Sequence, residues 1–563
     1  MIIKKKLMQR IFYRRPYYSL ARLYLVLFCF VVYFFILIGR LINIQFNHNN
    51  HYLKTFLTGT IIARPKILDR NGYLLAGDID IFSLYANPKQ IENIEETVEL
   101  IHNILPETNL VTLEKKLKNN NNFVWLARGL TPKQRDAIME LGIPALGFRK
   151  EVKRVYPANN ITSHVVGLVD VDNKAISGIE KYIDDNELYK IKETSNALTD
   201  DKISPIYLSL DLKIQTKVHQ IVKEFMYKHK AKAAGAVILN IKTGEVMSSV
   251  SLPDFDPLNM KEALLDDRLN RIVAGVYEMG SILKSFTTAV LLEKGEYNLN
   301  SIFDVSRPLV FGKQTINDFH GKKRPLKVWE IFIFSSNIGS ALEAQAVGID
   351  FHKNFLKRLG LLDRLRTELS ENAAPIYPRK WQAINSATIA FGHGLAITPL
   401  QIATSEATLM NNGRYIPPTF LKRDRKTAEQ LEQQLIKETT SKQIRYLNWL
   451  NGVLGSGRLA RVEGYRVGGK TGTAEKVVNG RYQSGKRFNS YLATFPIDDP
   501  SYIVLTIIDE PQKLASDPSA VAAYNAGRMA AAIIKRVAFD LNIEPNFYLE
   551  GRPPYLREED RPK

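Results

Sequence analysis

The chain has 563 residues, too many for one compact core, and length alone argues for roughly three or four structural units. An apolar fraction of 45% and a charged fraction of 24% are those of a folding, globular chain, which excludes a disordered or low-complexity protein. The net charge of +19 invites a nucleic-acid reading, yet eight basic residues and no acidic one precede residue 50, and no nucleic-acid-binding motif accompanies the others. Nucleic acid is therefore not an expected partner.

In chain order, the first feature is the run LYLVLFCFVVYFFILIG at residues 23–39, uncharged and bounded by Arg22 and Arg40. Leu41 and Ile42 bring its apolar length to about 20 residues, enough to cross a bilayer as a helix, and the long Arg side chains can reach the interface. A cleaved signal peptide would have a shorter apolar core and a small-x-small site, which Asn43-Ile44-Gln45-Phe46 does not offer. Seven Lys and Arg precede the run and few follow it closely, so the tail 1–22 is expected in the cytoplasm. The helix 23–42 is then expected to span a membrane, with everything beyond it exported. The single cysteine, Cys29, lies inside the span. No intramolecular disulfide can form, so stability must come from buried cores.

From 43 to 205 the sequence alternates short strand-like and helix-like pieces without a catalytic cluster. From 206 to 545 the elements are strong and well punctuated. Residues 236–250 read as two strands around a turn at Lys242-Thr243-Gly244, and 491–495 with 502–508 as another hairpin. Between the pairs lie helical patterns, among them 281–294 with Gly295 as its C-terminal cap, and a last helix is expected over 520–537. Strands at both ends with helices between them predict an α+β domain whose antiparallel sheet is closed by both ends of the segment. The Pro-rich, charged stretch 546–563 reads as a mobile tail.

Three short motifs carry the chemistry. In Ser281-Ile282-Leu283-Lys284, a helical start puts the amine one turn from the hydroxyl on the same face. A serine hydroxyl needs an adjacent base, and a lysine serves only where burial or a neighbouring cation lowers its pKa. Ser335-Ser336-Asn337 falls between two helical stretches; blandly it is a helix cap, functionally a proton relay and an amide holder. Lys470-Thr471-Gly472-Thr473 offers positive charge, hydroxyls for a carboxylate, and a glycine that lets a ligand backbone approach. The stretch from Gly464 to Thr471 also fits the phosphate-cradling pattern G-x-x-x-x-G-K-[ST]. That loop needs a buried strand before it and a helix after it. Here the preceding residues are charged, and Val477 to Tyr482 reads as a turn between strands.

Each motif is weak alone, but S-x-x-K, S-x-N and K-T-G in that order form the arrangement of penicillin-binding proteins and serine β-lactamases. The chain resembles the class B penicillin-binding proteins over nearly its whole length, most closely the division-specific peptidoglycan D,D-transpeptidases. The resemblance extends to Tyr277-Glu278-Met279-Gly280 before the nucleophile, to Phe391-Gly392-His393-Gly394-Leu395 with Thr398-Pro399-Leu400-Gln401, and to Val467-Gly468-Gly469 before the third motif. Upstream it includes Arg64-Pro65-Lys66-Ile67-Leu68-Asp69-Arg70-Asn71-Gly72, Tyr156-Pro157, His164-Val165-Val166-Gly167 and Gly178-Ile179-Glu180. Met279 and Ser285 stand where proline is usual, and Pro65 where glycine is.

The resemblance implies a non-catalytic α/β pedestal over 43–205 and a serine β-lactamase-like transpeptidase domain over 206–545. It implies Ser281 as nucleophile toward the penultimate D-alanine of a donor stem peptide, Lys284 as its base, and Ser335 as proton carrier. Asn337 would orient the donor amide, Lys470 would supply the positive field, Thr471, Gly472 and Thr473 would bind the terminal carboxylate, and the N–H groups of Ser281 and Thr473 would form the oxyanion hole. It calls for no metal or organic cofactor. Implied partners are peptidoglycan stem peptides, β-lactams, a polytopic lipid-linked glycan polymerase and other division proteins. Alternatives are the elongation-specific sister enzyme, a β-lactamase or D,D-carboxypeptidase, and a β-lactam sensor.

Overall fold

A computed structural model describes residues 16–46, 61–119, 121–192, 203–312, 314–478 and 481–549. The chain divides into two compact units. One holds residues 1–63 and 190–202, the other 64–189 and 203–563. In the first, a helix runs from Pro16 to Phe46, and Ile61–Ala63 pairs antiparallel with Lys190–Lys192. The segment expected to cross a membrane, 23–42, lies within that helix, and its described apolar side chains at 24–38 are exposed. Among the described residues no helix is long and apolar enough to cross a membrane. Residues 1–15 of the expected basic tail lie outside the described residues.

The second unit begins with the segment that opens the expected pedestal. Arg64 is buried because carboxylates surround it: Nε lies 2.9 Å from Glu180 Oε2 and Nη1 2.7 Å from Asp184. Arg154 approaches the same Glu180 at 2.7 Å and Asp78 at 2.9 Å. Removing one partner from such a network strands a buried charge, at a cost of about 3–5 kcal/mol. Beyond it, Leu74–Ala86 pairs antiparallel with Val124–Leu130 and Leu146–Val155. Helices Ile94–Ile104, Leu110–Leu117 and Pro132–Glu140 close a small core over these strands around Leu84, Ile101, Leu117 and Leu126. The Asp69-Arg70-Asn71-Gly72 turn fastens this region to the helix that begins at Leu212, since Asp69 Oδ1 accepts from Asn71 N and Tyr73 N while Oδ2 accepts from Leu212 N.

From Leu212 the catalytic part is built around a five-stranded antiparallel sheet. Its spatial order is Gly468–Val478, Arg481–Phe495, Tyr502–Asp509, Ala233–Asn240, Val246–Leu252. As expected, strands from the two ends of the segment meet, with Tyr502 opposite Asn240 and Asp509 opposite Ala233. Both faces are covered, so these strands read as near-continuous apolar runs. Ala236, Ile238 and Val504 pack under the helices Leu212–Lys228 and Ala526–Val537; Val237, Leu239 and Leu505 belong to the larger core containing Phe286, Val290, Leu400 and Leu447. Helix Leu283–Lys294 is buried from Leu283 to Glu293, a pattern for a helix in the centre of a domain. It ends at Gly295 in the left-handed conformation, φ +83°.

Two expectations shift at their edges. The helix expected from 281 opens as a 3-10 turn, Gly280–Ile282, before the α-helix starts at Leu283. The last helix starts at Ala526, not 520. Asn489 Nδ2 holds Ala520 O at 2.6 Å, Ala522 N donates to Thr473 Oγ1, and Asn525 caps Ala526 N, so this stretch serves the sheet before the helix begins. Of the expected tail, Asn546 N donates to Gly464 O and Phe547–Leu549 forms a 3-10 turn, while 550–563 lie outside the described residues.

Helix Pro399–Met410 carries one carboxyl into the core. Glu406 Oε1 accepts from Asn448 Nδ2 at 3.0 Å, Oε2 has no partner, and burial pushes its pKa up to about 8. A folded-state value raised above the ordinary 4.5 gives a contribution that is complete at low pH and lost as pH climbs toward 8. Glu406→Gln is therefore expected to gain thermal stability relative to the parent between about pH 5 and pH 8. Unfolding curves of the full chain with identical pH slopes for both proteins would contradict this.

Candidate active site

The turn that carries Ser281 and the third motif are pressed together. Gly280 has φ +53°, and a Cβ there would lie 2.8 Å from Thr473 O and 3.0 Å from Thr473 N. Gly472 answers it from the strand, where a Cβ would meet Met279 O at 2.1 Å. The close approach that Gly472 permits is thus to the chain's own backbone beside Ser281. The motif strand Gly468–Val478 is an edge strand, paired on one side only, with Arg481–Phe495. No phosphate cradle exists here, because Lys470 and Thr471 lie within that strand and not at the start of a helix.

The second motif joins two helices, Val328–Phe334 and Asn337–Val347. The bland reading holds for its middle residue: Ser336 is the N-cap, its hydroxyl accepting from Gly339 N at 2.9 Å. Ser335 takes the left-handed conformation, φ +55°, which is unusual for a side-chain-bearing residue and costs on the order of 1 kcal/mol. This turn aims both the Ser335 carbonyl and the Ser335 hydroxyl at Lys284. Lys284 Nζ donates to Ser335 O at 2.6 Å, to Ser335 Oγ at 3.0 Å and to Asn337 Oδ1 at 2.8 Å. Lys470 Nζ donates to the same Ser335 Oγ at 3.0 Å and lies 5.8 Å from the Phe332 ring centroid.

Four of the eight residues picked from sequence, Lys284, Ser335, Asn337 and Lys470, therefore form one hydrogen-bonded cluster. Ser281 stands at its edge, half-buried on the turn leading into the Lys284 helix. Among the described residues no hydrogen bond joins its hydroxyl to the Lys284 amine, a separation compatible with a site that tightens only on substrate. Thr471 Oγ1 and Ser456 Oγ are 2.7 Å apart, and Thr473 Oγ1 accepts from Ala522 N at 3.2 Å. Sequence reasoning missed Ser456, on the 3-10 turn Ser456–Ala460, and Asp318, whose carboxylate faces the second motif. It also missed a bridge at the mouth, where Glu278 Oε1 accepts from Gly394 N and from Tyr482 OH. No spacing signals these contacts, because their partners are remote in the chain. Among the described residues no cluster of His, Cys, Asp and Glu assembles to hold a metal ion.

Electrostatics separate the roles of the two amines. Lys284 and Lys470 are both buried and touch one oxygen, so they lie within about 6 Å of each other, where two full charges would repel by ~3 kcal/mol at a protein-like dielectric. Burial, then the Lys470 charge, holds Lys284 well below the usual lysine range, while Asp318 and Glu343 act in the opposite direction. Burial brings Lys470 down to about 7. Glu343, fully buried and accepting from Thr288 Oγ1, is pushed by burial up to about 8.

Residues 234–537 match the transpeptidase domain of penicillin-binding proteins, and 62–196 match the penicillin-binding protein dimerisation domain. The chain is 35% identical over 495 residues to a probable peptidoglycan D,D-transpeptidase FtsI from Caulobacter vibrioides, covering 86% of this chain and 82% of that one. It is 31% identical to a probable peptidoglycan D,D-transpeptidase PenA from Neisseria gonorrhoeae, covering 88% and 90%, and 28% identical to FtsI from Escherichia coli, covering 87% and 85%. A solved peptidoglycan synthetase from Bifidobacterium adolescentis shares the fold, with a TM-score of 0.66 at 19% identity over 86% of this chain and 97% of that one. The chain belongs to the penicillin-binding proteins, among the class B D,D-transpeptidases.

The two lysines predict the pH dependence of acylation. The second-order rate with benzylpenicillin is expected to rise as Lys284 loses its proton and to fall as Lys470, at about 7 in the free enzyme, loses its own. A bell with its alkaline limb close to neutrality is expected from stopped-flow acylation, and a rate still climbing at about pH 10 would contradict it.

Proposed function

We propose that this enzyme cross-links stem peptides of septal peptidoglycan through a covalent ester on Ser281. The observation that carries the reading is the convergence of the Lys284 and Lys470 amines on Ser335 Oγ, 3.0 Å from each. Ser281 Oγ attacks the carbonyl of the penultimate D-alanine while neutral Lys284 takes the hydroxyl proton. The developing oxyanion sits between the N–H groups of Ser281 and Thr473, an assignment supported by the contact of Gly280 with Thr473. Collapse breaks the C–N bond, and the terminal D-alanine leaves as an amine that receives its proton through Ser335. Thr471 and Thr473 hold the terminal carboxylate against the Lys470 charge, and Asn337 orients the donor amide. The amine of a second stem peptide then attacks the ester, forms the cross-link and restores the Ser281 hydroxyl. β-Lactams present a similar carbonyl beside a carboxylate and leave Ser281 acylated.

The same reading places residues 23–42 across the inner membrane, the N-terminus in the cytoplasm and the catalytic part in the periplasm at the division septum. The basic residues before the apolar run support that orientation. A polytopic lipid-linked glycan polymerase and other division proteins are the proposed partners, with the pedestal at 43–205 and the transpeptidase domain at 206–545 as the working division of the exported part.

Ser281→Ala is expected to lose all covalent labelling by a fluorescent penicillin, and Lys284→Ala to slow it by a factor on the order of 10²–10⁴. Undiminished labelling of the first variant, read by mass spectrometry of the adduct, would defeat the assignment. Depletion of the protein is expected to give filamentous cells under the microscope, whereas rounded cells would move the role to elongation.

A further inference from the structure

The second motif does not hold its own shape. Ser335 is left-handed, Ser336 caps a helix, and Asn337 must present its carbonyl oxygen, not its amide nitrogen, to Lys284. The loop before them supplies the groups that fix each. The half-buried Asp318 carboxylate receives Asn337 N at 2.5 Å and Ile338 N at 3.0 Å on Oδ1, and the Ser336 hydroxyl at 2.8 Å on Oδ2. The neighbouring Asn317 carbonyl receives Asn337 Nδ2 at 3.1 Å. An amide whose nitrogen is held on one side has its oxygen committed to the other, where Lys284 waits at 2.8 Å.

We infer that Asn317-Asp318 is the positioning element of this active site, locking the Asn337 amide and the Ser335 turn onto the Lys284 amine. Asp318 touches neither substrate nor the nucleophile; it acts through Asn337, Ser336 and its charge. The inference deepens the reading of Ser281 as acylated nucleophile and rests on it. One carboxylate here has three effects. It satisfies the first free N–H groups of helix Asn337–Val347, sets the direction of the Ser336 hydroxyl, and places a negative charge where it opposes the Lys470 cation at Lys284. The other titratable groups acting on or near Lys284 are Lys470 on the motif strand, Glu343 on the Asn337–Val347 helix and His393 in the 391–395 segment.

The test uses the full-length chain in detergent, with fluorescent penicillin acylation followed across pH alongside thermal unfolding. Asp318→Asn is expected to lower the plateau rate at least about tenfold, as the misplacement of a catalytic group requires. It should also move the acid limb to lower pH, because the charge that favours protonated Lys284 is gone. Asp318→Glu keeps the charge but displaces the oxygens, so its plateau falls while its limb stays. A mere helix cap would lower the melting temperature and move neither quantity. In a folded Asp318→Asn protein, an undiminished plateau or an unmoved limb overturns the inference. Should that variant not fold, Asp318→Glu decides, and a parental rate there overturns it. Ser281→Ala, run in parallel, separates the two levels: persistent labelling of that variant defeats the acyl-enzyme reading, whereas its loss beside parental Asp318 variants defeats this inference alone.

Discussion

Two lysine amines share one hydroxyl oxygen in the interior of this protein, and the surrounding architecture serves to make that tolerable. A lone ammonium taken out of water is costly, and a second one nearby more so. The chain answers with acceptors in place of counter-charges in contact. The Ser335 carbonyl, the Ser335 hydroxyl and the Asn337 amide oxygen surround Lys284, and among the described residues no carboxylate touches it. A contacting carboxylate would have produced a stable ion pair and a lysine unable to accept a proton. Neutral acceptors leave the amine solvated by the protein yet willing to shed its charge.

The fold supplies this arrangement from three independent elements. Lys284 comes from the buried central helix, Ser335 and Asn337 from a turn between two other helices, and Lys470 from the edge of the sheet. Each is anchored by ordinary packing, Phe286 and Val290 under the first and Phe332 beneath Lys470, so the polar cluster borrows its rigidity from the apolar core. The mutual fit of Gly280 and Gly472 brings the Ser281 turn against the strand, and side chains at either position would force the two apart.

Much of this was legible in the sequence, for reasons that differ by residue. The three motifs could be read because the paired residues are local: Ser281 and Lys284 lie one helical turn apart, and Ser335 and Asn337 flank a cap. The strands could be read because both faces of the sheet are buried, which makes 236–239 and 502–505 unbroken apolar runs. Asp318 could not, since its partners lie eighteen to twenty residues on and no periodicity links a loop carboxylate to a later helix start. The start of the last helix was misplaced for a related reason. Residues 520–525 have helix-forming composition, but Thr473 and Asn489 engage their backbone first, a tertiary preference that local propensity does not contain.

The pairing of Tyr502–Asp509 with Ala233–Asn240 has a consequence for how the enzyme comes into being. The earliest strand of the catalytic sheet has on one side only Val246–Leu252 until the chain some 260 residues later has been made, so its other edge waits, apolar and open, through most of synthesis. Joining ends so far apart carries a large loop-closure entropy and makes assembly slow. An interrupted polypeptide ending before residue 502 would therefore be more than inactive. It would expose a sticky template, which makes the C-terminal portion a checkpoint on whether a newly made copy survives.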